Sequence, residues 1–536
     1  MPENREPKPV EQAIRSAILN VNRPVYLLDL NGLPAVAING KITIGSVESP
    51  DSAAVPLRAY APPLHPEHLG DLRFKNKHRL RYAYIVGAMA NGITSVKMVE
   101  EAGKAGCAGF FGAAGLALDQ IESAIVKLRQ ILKNIPFGFN LIHIPNDPEL
   151  EAAVVRLYLQ REIRLVSASA YLNLTLPLVH YRVKGIHRDA DGRIVCPNKV
   201  IAKASRVEVA EKYLSPPPQK LLAQLIDKNM ITREEAQLAV SIPMADDLTA
   251  EADSGGHTDN RPAISLLPTM IALRDELTAK YQYKNPPCVG LAGGIATPHS
   301  AAAAFALGAA YILTGSINQS CIEAGTSETV RQMLAEAGQA DVTMAPAADM
   351  FEMGVKVQVL KRGTMFPLRA AKLYDLYCSY DRFEAIPEKV RLSLERDFFR
   401  KSFSEEWEQT KIYFTRHDPR QIERAEKDTK HKMALVFRSY LGQSSNWANS
   451  GDLSRKIDYQ IWCGPAMGAF NQWVKGSFLQ RPENRRTVVV AMNLLYGAAV
   501  TTRVNWLKHQ GVVLPTDTEH FSPLPLEKIR KFLSIC

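Results

Sequence analysis

Eight short apolar runs separated by helical patterns occupy residues 80 to about 315, and they constrain this chain's fold most strongly. They are Tyr82-Ala-Tyr-Ile-Val, Ala108-Gly-Phe-Phe, Phe137-Gly-Phe-Asn, Arg164-Leu-Val-Ser, Val200-Ile-Ala-Lys, Ser241-Ile-Pro-Met, Cys288-Val-Gly-Leu and Ala310-Tyr-Ile-Leu-Thr. Helical patterns such as Ser95 to Ala105, Leu118 to Lys133 and Pro298 to Leu307 lie between them. Strands that alternate with helices run parallel, because a helix is the usual crossover that returns the chain to the same sheet edge. Eight such units over roughly 240 residues predict an α/β fold, a (β/α)8 TIM barrel. The barrel is expected over 76–360, with insertions near 183–198, where Asp191-Gly192 signals a turn, and a helical insert near 218–232.

The flanks follow other rules. Residues 1–75 predict a β-rich appendage. Pro24-Val-Tyr-Leu-Leu and Ala35-Val-Ala-Ile flank the turn Asn31-Gly32, Lys41-Ile-Thr-Ile follows a second turn at Asn39-Gly40, and Tyr60-Ala-Pro-Pro-Leu-His-Pro reads as a linker. Residues 361–536 predict a helical subdomain, and all five tryptophans (407, 447, 462, 473 and 506) lie there, as a separate core requires.

The net charge of +10 is modest for 536 residues. Between Lys361 and Lys432, 17 Lys or Arg are interleaved with 13 Asp or Glu, so the charges mark solvated helix faces and not a nucleic-acid stripe. Seven scattered cysteines, at 107, 196, 288, 321, 378, 463 and 536, form no CxxC pair and no metal spacing, which predicts reduced thiols and a cytoplasmic protein. The first twenty residues hold no signal-peptide core. The stretch Val488 to Val500, interrupted by Asn493, reads as too short to span a bilayer, so no membrane insertion is expected.

Two glycine turns carry the chemistry. Leu291-Ala-Gly-Gly-Ile-Ala follows the seventh run and Leu313-Thr-Gly-Ser-Ile-Asn ends the eighth. A phosphate needs several backbone N–H donors at short range, and glycine leaves that approach open. Ala292, Gly293 and Gly294 on one side, and Thr314, Gly315 and Ser316 on the other, lie where TIM barrels commonly hold phosphate, and the helix opening near Pro298 adds its positive end. After the sixth run, Ala252-Asp-Ser-Gly-Gly-His257 delivers a histidine to the barrel mouth for proton transfer or hydrogen bonding; Asp246, Asp247, Glu251 and Asp253 are acidic neighbours able to raise its pKa. Gly87, Ala88 and Met89 place small or flexible residues where a flat ring would lie, Asn140 offers both donor and acceptor to its edge, and Lys203 offers positive charge.

At these residues a resemblance emerges. Gly87-Ala-Met, Gly138-Phe-Asn, Gly255-Gly-His, Ala292-Gly-Gly-Ile and Gly308-Ala-Ala-Tyr-Ile-Leu-Thr-Gly-Ser resemble the nitronate monooxygenase and FMN-dependent enoyl reductase superfamily. Glu323-Ala-Gly-Thr-Ser, Ala345-Pro-Ala-Ala-Asp-Met-Phe-Glu-Met-Gly and Asp458-Tyr-Gln-Ile-Trp-Cys-Gly-Pro-Ala-Met-Gly resemble its PfaD family, the trans-acting enoyl reductase subunits of polyunsaturated fatty acid and polyketide synthases. The resemblance implies FMN as cofactor and NADPH as co-substrate. Gly87, Ala88, Met89, Asn140 and Lys203 would lie against the flavin ring, and Gly293, Gly294, Gly315 and Ser316 at its phosphate. His257 falls where the family has its active-site histidine. Related single-domain enzymes carry Gly-Thr after the eighth strand where this chain has Thr314-Gly-Ser, which leaves open which hydroxyl meets phosphate. The substrate would arrive on acyl carrier domains of a multienzyme synthase, with Arg396, Arg400, Lys401 and Lys411 a candidate docking surface; a homodimer is one expected assembly. A nitronate-type flavin oxidase, a flavin-free phosphate barrel and a non-catalytic scaffold are the competing readings.

Overall fold

Strands covered on both faces are short and largely apolar, as these are. The computed structural model describes residues 9–44, 54–144 and 147–534; Cys536 lies outside them. The barrel strands are β1 (Tyr84–Val86), β2 (Ala108–Phe111), β3 (Gly138–Ile142), β4 (Leu165–Ser169), β5 (Lys199–Ala204), β6 (Asp247–Glu251), β7 (Cys288–Ala292) and β8 (Ile312–Thr314). They pair in parallel in chain order, and β8 closes on β1 through Leu313↔Ile85. The fold is therefore a closed eight-stranded α/β barrel. Ile85, Phe110, Leu165, Ile201 and Leu313 share its inner core.

Seven strands fall on the expected runs. The sixth does not: Ser241-Ile-Pro-Met is irregular and the strand is Asp247–Glu251. Pro243 lacks the N–H that a central strand must donate. The true strand is masked by its terminal carboxylates, which frame the apolar stretch around Leu248.

Those carboxylates serve opposite ends of the barrel. At its foot, α1 (Leu72–His78) plugs the opening; Phe74 is buried and stacks on Tyr311 with ring centroids 4.0 Å apart. Asp247, fully buried, meets His78 Nε2 at 2.6 Å and Lys77 Nζ at 2.8 Å, and accepts the Cys288 N–H at 2.8 Å. Burial opposes its charge, but Lys77 and His78 outweigh that and hold its carboxyl down at about 2. Asp246 is paired beside it with Arg182 at 2.6 Å. Neither is a neighbour of His257, contrary to expectation, because both sit at the amino end of β6.

The amino-terminal unit is mixed. A helix (Pro9–Leu19) precedes a three-stranded antiparallel sheet of Val25–Leu30, Leu33–Ala37 and Leu57–Ala61. Lys41-Ile-Thr-Ile forms no strand, and Tyr60 and Ala61, expected in the linker, pair with the central strand. The insertion near 183–198 is a small hairpin, His187–Arg188 against Ile194–Val195, and helices Gln219–Asp227 and Arg233–Ala239 form the next.

After residue 361 the chain packs as two bodies. Residues 366 to 441 gather with β9 (Val342–Pro346) and β10 (Lys356–Leu360) around their own core, which includes Phe351, Phe366 and Phe437. From Tyr459 onwards the chain shares the barrel's outer core. Its helix Thr487–His509 extends beyond the expected apolar stretch and is, by length and composition, long enough to cross a membrane, yet 83% of its most apolar window is buried in protein. Asn493 does not interrupt it: the side chain donates to Val489 and Leu524 carbonyls at 2.9 Å and accepts from Leu524 N–H at 2.7 Å.

Removing the Asp247 carboxylate leaves the Lys77 ammonium and the His78 ring without their shared partner at the barrel foot. Asp247→Ala is expected to cost about 3–5 kcal/mol in chemical denaturation; a loss below about 1 kcal/mol would contradict this account. Because this carboxyl titrates below its ordinary value, its contribution is complete above pH 3.8 and disappears as pH falls through about 2.

Candidate active site at the carboxyl end of the barrel

The two glycine turns leave neighbouring strands, since Leu291 pairs with Ile312 and Ala292 with Leu313. Gly293 is required by contact: at φ +84 its added Cβ would stand 2.6 Å from the Ala252 carbonyl. Gly294 and Gly315 differ, because an added Cβ would meet no atom within 4 Å at either. Space at their Cα atoms is open on the mouth side. The N–H groups of Gly294 and Ile295 make no hydrogen bond among the described residues. Helix Pro298–Ala306 offers less than expected: Ser300 Oγ takes the N–H groups of Ala296 and Thr297 at 3.0 Å, and Thr297 Oγ1 takes that of Ser300 at 3.1 Å.

The two hydroxyls after β8 differ in their partners. Thr314 is buried, with its Oγ1 at 2.6 Å from Tyr84 OH and accepting from Asn318 Nδ2 at 2.8 Å. Ser316 Oγ accepts the Gly464 N–H at 3.2 Å, which leaves its own proton free to point into the cradle.

The loop after β1 is fixed from several sides. Gly87 N–H donates to the Thr314 carbonyl at 2.9 Å, and Thr94 Oγ1 bridges the Gly87 carbonyl (2.7 Å) and the Met89 N–H (2.9 Å). A side chain at Gly112 would overlap the Met89 carbonyl, and one at Gly325 would overlap that of Gly92. Ala88 and Met89 stay half-buried. Asn140 spends its acceptor internally: Oδ1 takes the Ala113 and Ala114 N–H groups at 2.7 and 3.2 Å, an orientation assigned from this network, so only Nδ2 remains for a ligand. Lys203 is ion-paired with Glu251 at the mouth end of β6, so its charge is already partnered.

His257 lies on a short strand. Gly256–His257 form a short strand antiparallel to β10, with His257 opposite Val357, and β9 lies beyond. Gln358 Nε2 donates to Asp253 Oδ1 and to the Ser254 carbonyl, both at 2.8 Å. Behind the loop, an added Cβ at Gly255 would lie 2.8 Å from Cys463 N, and one at Gly464 would lie 2.8 Å from Gly255 N. The segments around 345–360 and 458–470 thus hold the histidine; residue type alone had disclosed no role for them. The acid facing His257 also went unforeseen. Asp349 Oδ2 lies 3.3 Å from His257 Nε2, with side-chain exposures of 48% and 28%. Burial disfavours the charged imidazole, but Asp349, helped by Glu251 and opposed by Lys203, prevails and raises its pKa. Of the four expected neighbours only Glu251 contributes; Asp253 is held by Gln358 and Asn260.

The helical body borders this mouth: Asn91 Nδ2 donates to Ser445 Oγ at 3.3 Å, and Arg438 Nε to the Ala348 carbonyl at 2.9 Å. Three of the four candidate docking cations are already paired, Arg396 with Asp397, Lys401 with Glu406 and Lys411 with Glu408, all within 2.8 Å. Arg400 is the left-handed residue that ends its helix. Among the described residues no group of His, Cys, Asp and Glu is arranged to hold a metal.

These features bring two open glycine turns and a histidine facing an aspartate to one end of the barrel. Residues 73–376 match the nitronate monooxygenase family, and residues 380–459 match the inserted helical domain of acyl-carrier-protein S-malonyltransferase. Polyketide biosynthesis protein PksE of Bacillus subtilis is 47% identical over 435 residues, 81% of this chain and 56% of that protein. A polyunsaturated fatty acid synthase subunit of a Thraustochytrium species is 42% identical over 505 residues, 93% of this chain and 33% of that protein. The solved enoyl reductase domain of MlnA, from the macrolactin cluster of Bacillus amyloliquefaciens, superposes with a TM-score of 0.77 at 40% identity, covering 83% of this chain and 99% of that one. The chain belongs to the nitronate monooxygenase family, in its PfaD-like branch, and so stands among oxidoreductases. It spans about half or less of the length of these curated relatives.

Because Gly464 meets the backbone of Gly255 and Ser254, Gly464→Ala must push the histidine loop and the 458–470 segment apart. We expect a loss of about 1–3 kcal/mol in thermal denaturation. Stability within about 0.5 kcal/mol of the parent would show that the contact is not needed.

Proposed function

We propose that this protein is an FMN-dependent enoyl reductase. It acts in trans, reducing the 2,3 double bond of enoyl thioesters on acyl carrier domains during polyunsaturated fatty acid or polyketide biosynthesis, with NADPH as hydride donor. The observation that carries the reading is the pair of open glycine positions, Gly294 and Gly315, on adjacent strand ends beside a tethered, protonatable His257. The enoyl reductase domain and the fatty acid synthase among the relatives support the choice of substrate.

The donor set suits a flavin phosphate. The free N–H groups of Gly294 and Ile295 and the outward hydroxyl of Ser316 would hold it, and Thr314, whose hydroxyl is committed internally, would not. Asn140 Nδ2 and the Gly87–Met89 loop would meet the ring. Lys203, balanced by Glu251, would tune charge at its edge without adding a full cation. When bound, FMN supplies the relay of hydride from NADPH to the β-carbon of the acceptor. As charge builds on the thioester oxygen, a donor there stabilises the enolate more than the starting enoyl group. His257, whose pKa Asp349 raises against the effect of burial, is placed to be that donor or to pass its proton to the α-carbon. The six described cysteines are free, which fits work in a reducing cytoplasm. A scaffold would need neither the open cradle nor the paired histidine.

An anaerobic titration tests the proposal. The purified protein should be yellow, bleach with NADPH and recover its colour with crotonyl thioester. Colourless protein, or bleaching without recovery, would refute it; recovery only with oxygen and nitroalkane would favour the oxidase reading, which the family match also supports. In the same assay His257→Ala should keep its flavin and lose about 10²-fold or more in the enoyl step. Unchanged turnover would remove His257 from the mechanism.

A further inference from the structure

The loop between β9 and β10 joins two parts of the molecule with separate cores. Its tip carries Asp349, which faces His257. Its base is closed by the Ala347 N–H to the Val355 carbonyl at 2.9 Å. Phe351, fully buried, anchors it among Tyr374, Tyr377 and Phe437 of the helical body. Arg438, on helix Thr429–Ser450, straddles the tip: Nε donates to the Ala348 carbonyl at 2.9 Å and Nη1 to Glu352 at 3.1 Å. One guanidinium therefore grips residues on both sides of Asp349, while the short strand of His257 is tied to β10.

We propose that the helical body sets the protonation and orientation of His257 through Arg438, which positions the loop carrying Asp349. Asp349 and Arg438 are positioning residues, and their consequence for turnover rests on the catalytic reading of His257 given above. The charged groups that act most strongly on this imidazole are Asp349, Glu251 and Lys203, with the Arg438 guanidinium behind Asp349. Glu251 and Lys203 pair with each other, which leaves Asp349 as the adjustable partner. A half-exposed pair of this kind adds little to folding stability, so the clamp behind it is not accounted for by stability alone. The arrangement gives the helical body a lever on the site: whatever shifts helix Thr429–Ser450 shifts Asp349.

The sign of one substitution separates this relay from plain electrostatics. Arg438→Met removes a nearby cation, which by charge alone would raise the His257 pKa. The relay predicts the opposite, because the loop relaxes and Asp349 withdraws. The readout is an NMR pH titration of the histidines in the full-length protein, with His257→Gln identifying the resonance. Asp349→Asn should lower the His257 pKa by about one unit or more, and Asp349→Glu should restore part of it. Arg438→Met should lower it by a smaller amount and add nothing in the Asp349→Asn background. If Arg438→Met fails to fold, Arg438→Lys, which keeps the charge and loses the fork, should also lower it. An unchanged or raised pKa in the folded Arg438 variants, or an unchanged pKa in Asp349→Asn, overturns the relay. A pKa that falls as stated while enoyl turnover stays constant upholds the relay and removes the catalytic reading instead.

Discussion

Backbone meets backbone at the mouth of this barrel, and the rest of the site depends on it. Gly293 lies against the Ala252 carbonyl, Gly255 against Cys463 and Gly464 against Gly255, each at a distance that excludes a Cβ. Three segments distant in sequence are thereby pressed together: the end of β7, the histidine loop after β6 and the 458–470 segment. Such contacts are stiff because no rotamer can relieve them. From them follow the bond from Gly464 to Ser316 and the path of the loop that ends in His257.

Charge is divided along the same strand. At the foot, Asp247 is sealed with Lys77 and His78 and serves the fold. At the mouth, Glu251 balances Lys203, and Asp349 reaches His257 from another core. Buried charge must be paired where it cannot titrate, whereas half-exposed pairs near a ligand stay adjustable. Two carboxylates separated by the length of β6 thus have unrelated duties.

Much of this was legible in the residues. Strand–helix alternation specified the barrel, and the glycine turns were legible as tight backbone on neighbouring strand ends, because both rest on local backbone chemistry. The sixth strand was obscured by Asp247 and Glu251, whose partners are far away in sequence. Asn140 showed its type but not its commitment to the Ala113 and Ala114 N–H groups. Thr314 and Ser316 looked equivalent until Tyr84 and Asn318 were seen to claim the first. Asp349 was hidden in a segment recognisable only as a family signature, since its closeness to His257 is made by the antiparallel pairing of β10 with a two-residue strand. Local pattern reveals which groups are available; tertiary pairing decides which are free.

The central claim is that the turns after β7 and β8 hold one phosphate between them, and Gly315 tests it most cleanly. An added Cβ there meets no protein atom within 4 Å, and its backbone, at φ −126 and ψ −79, lies outside the left-handed region. Gly315→Val should therefore fold, at a modest cost in stability because a branched residue at that φ and ψ lies off the main allowed regions. The measurement is the flavin absorbance of the purified variant, with FMN affinity by titration. Colourless, folded protein with affinity reduced about 10²-fold or more is the predicted result. A yellow variant that binds FMN as the parent does would place the phosphate elsewhere and contradict the account.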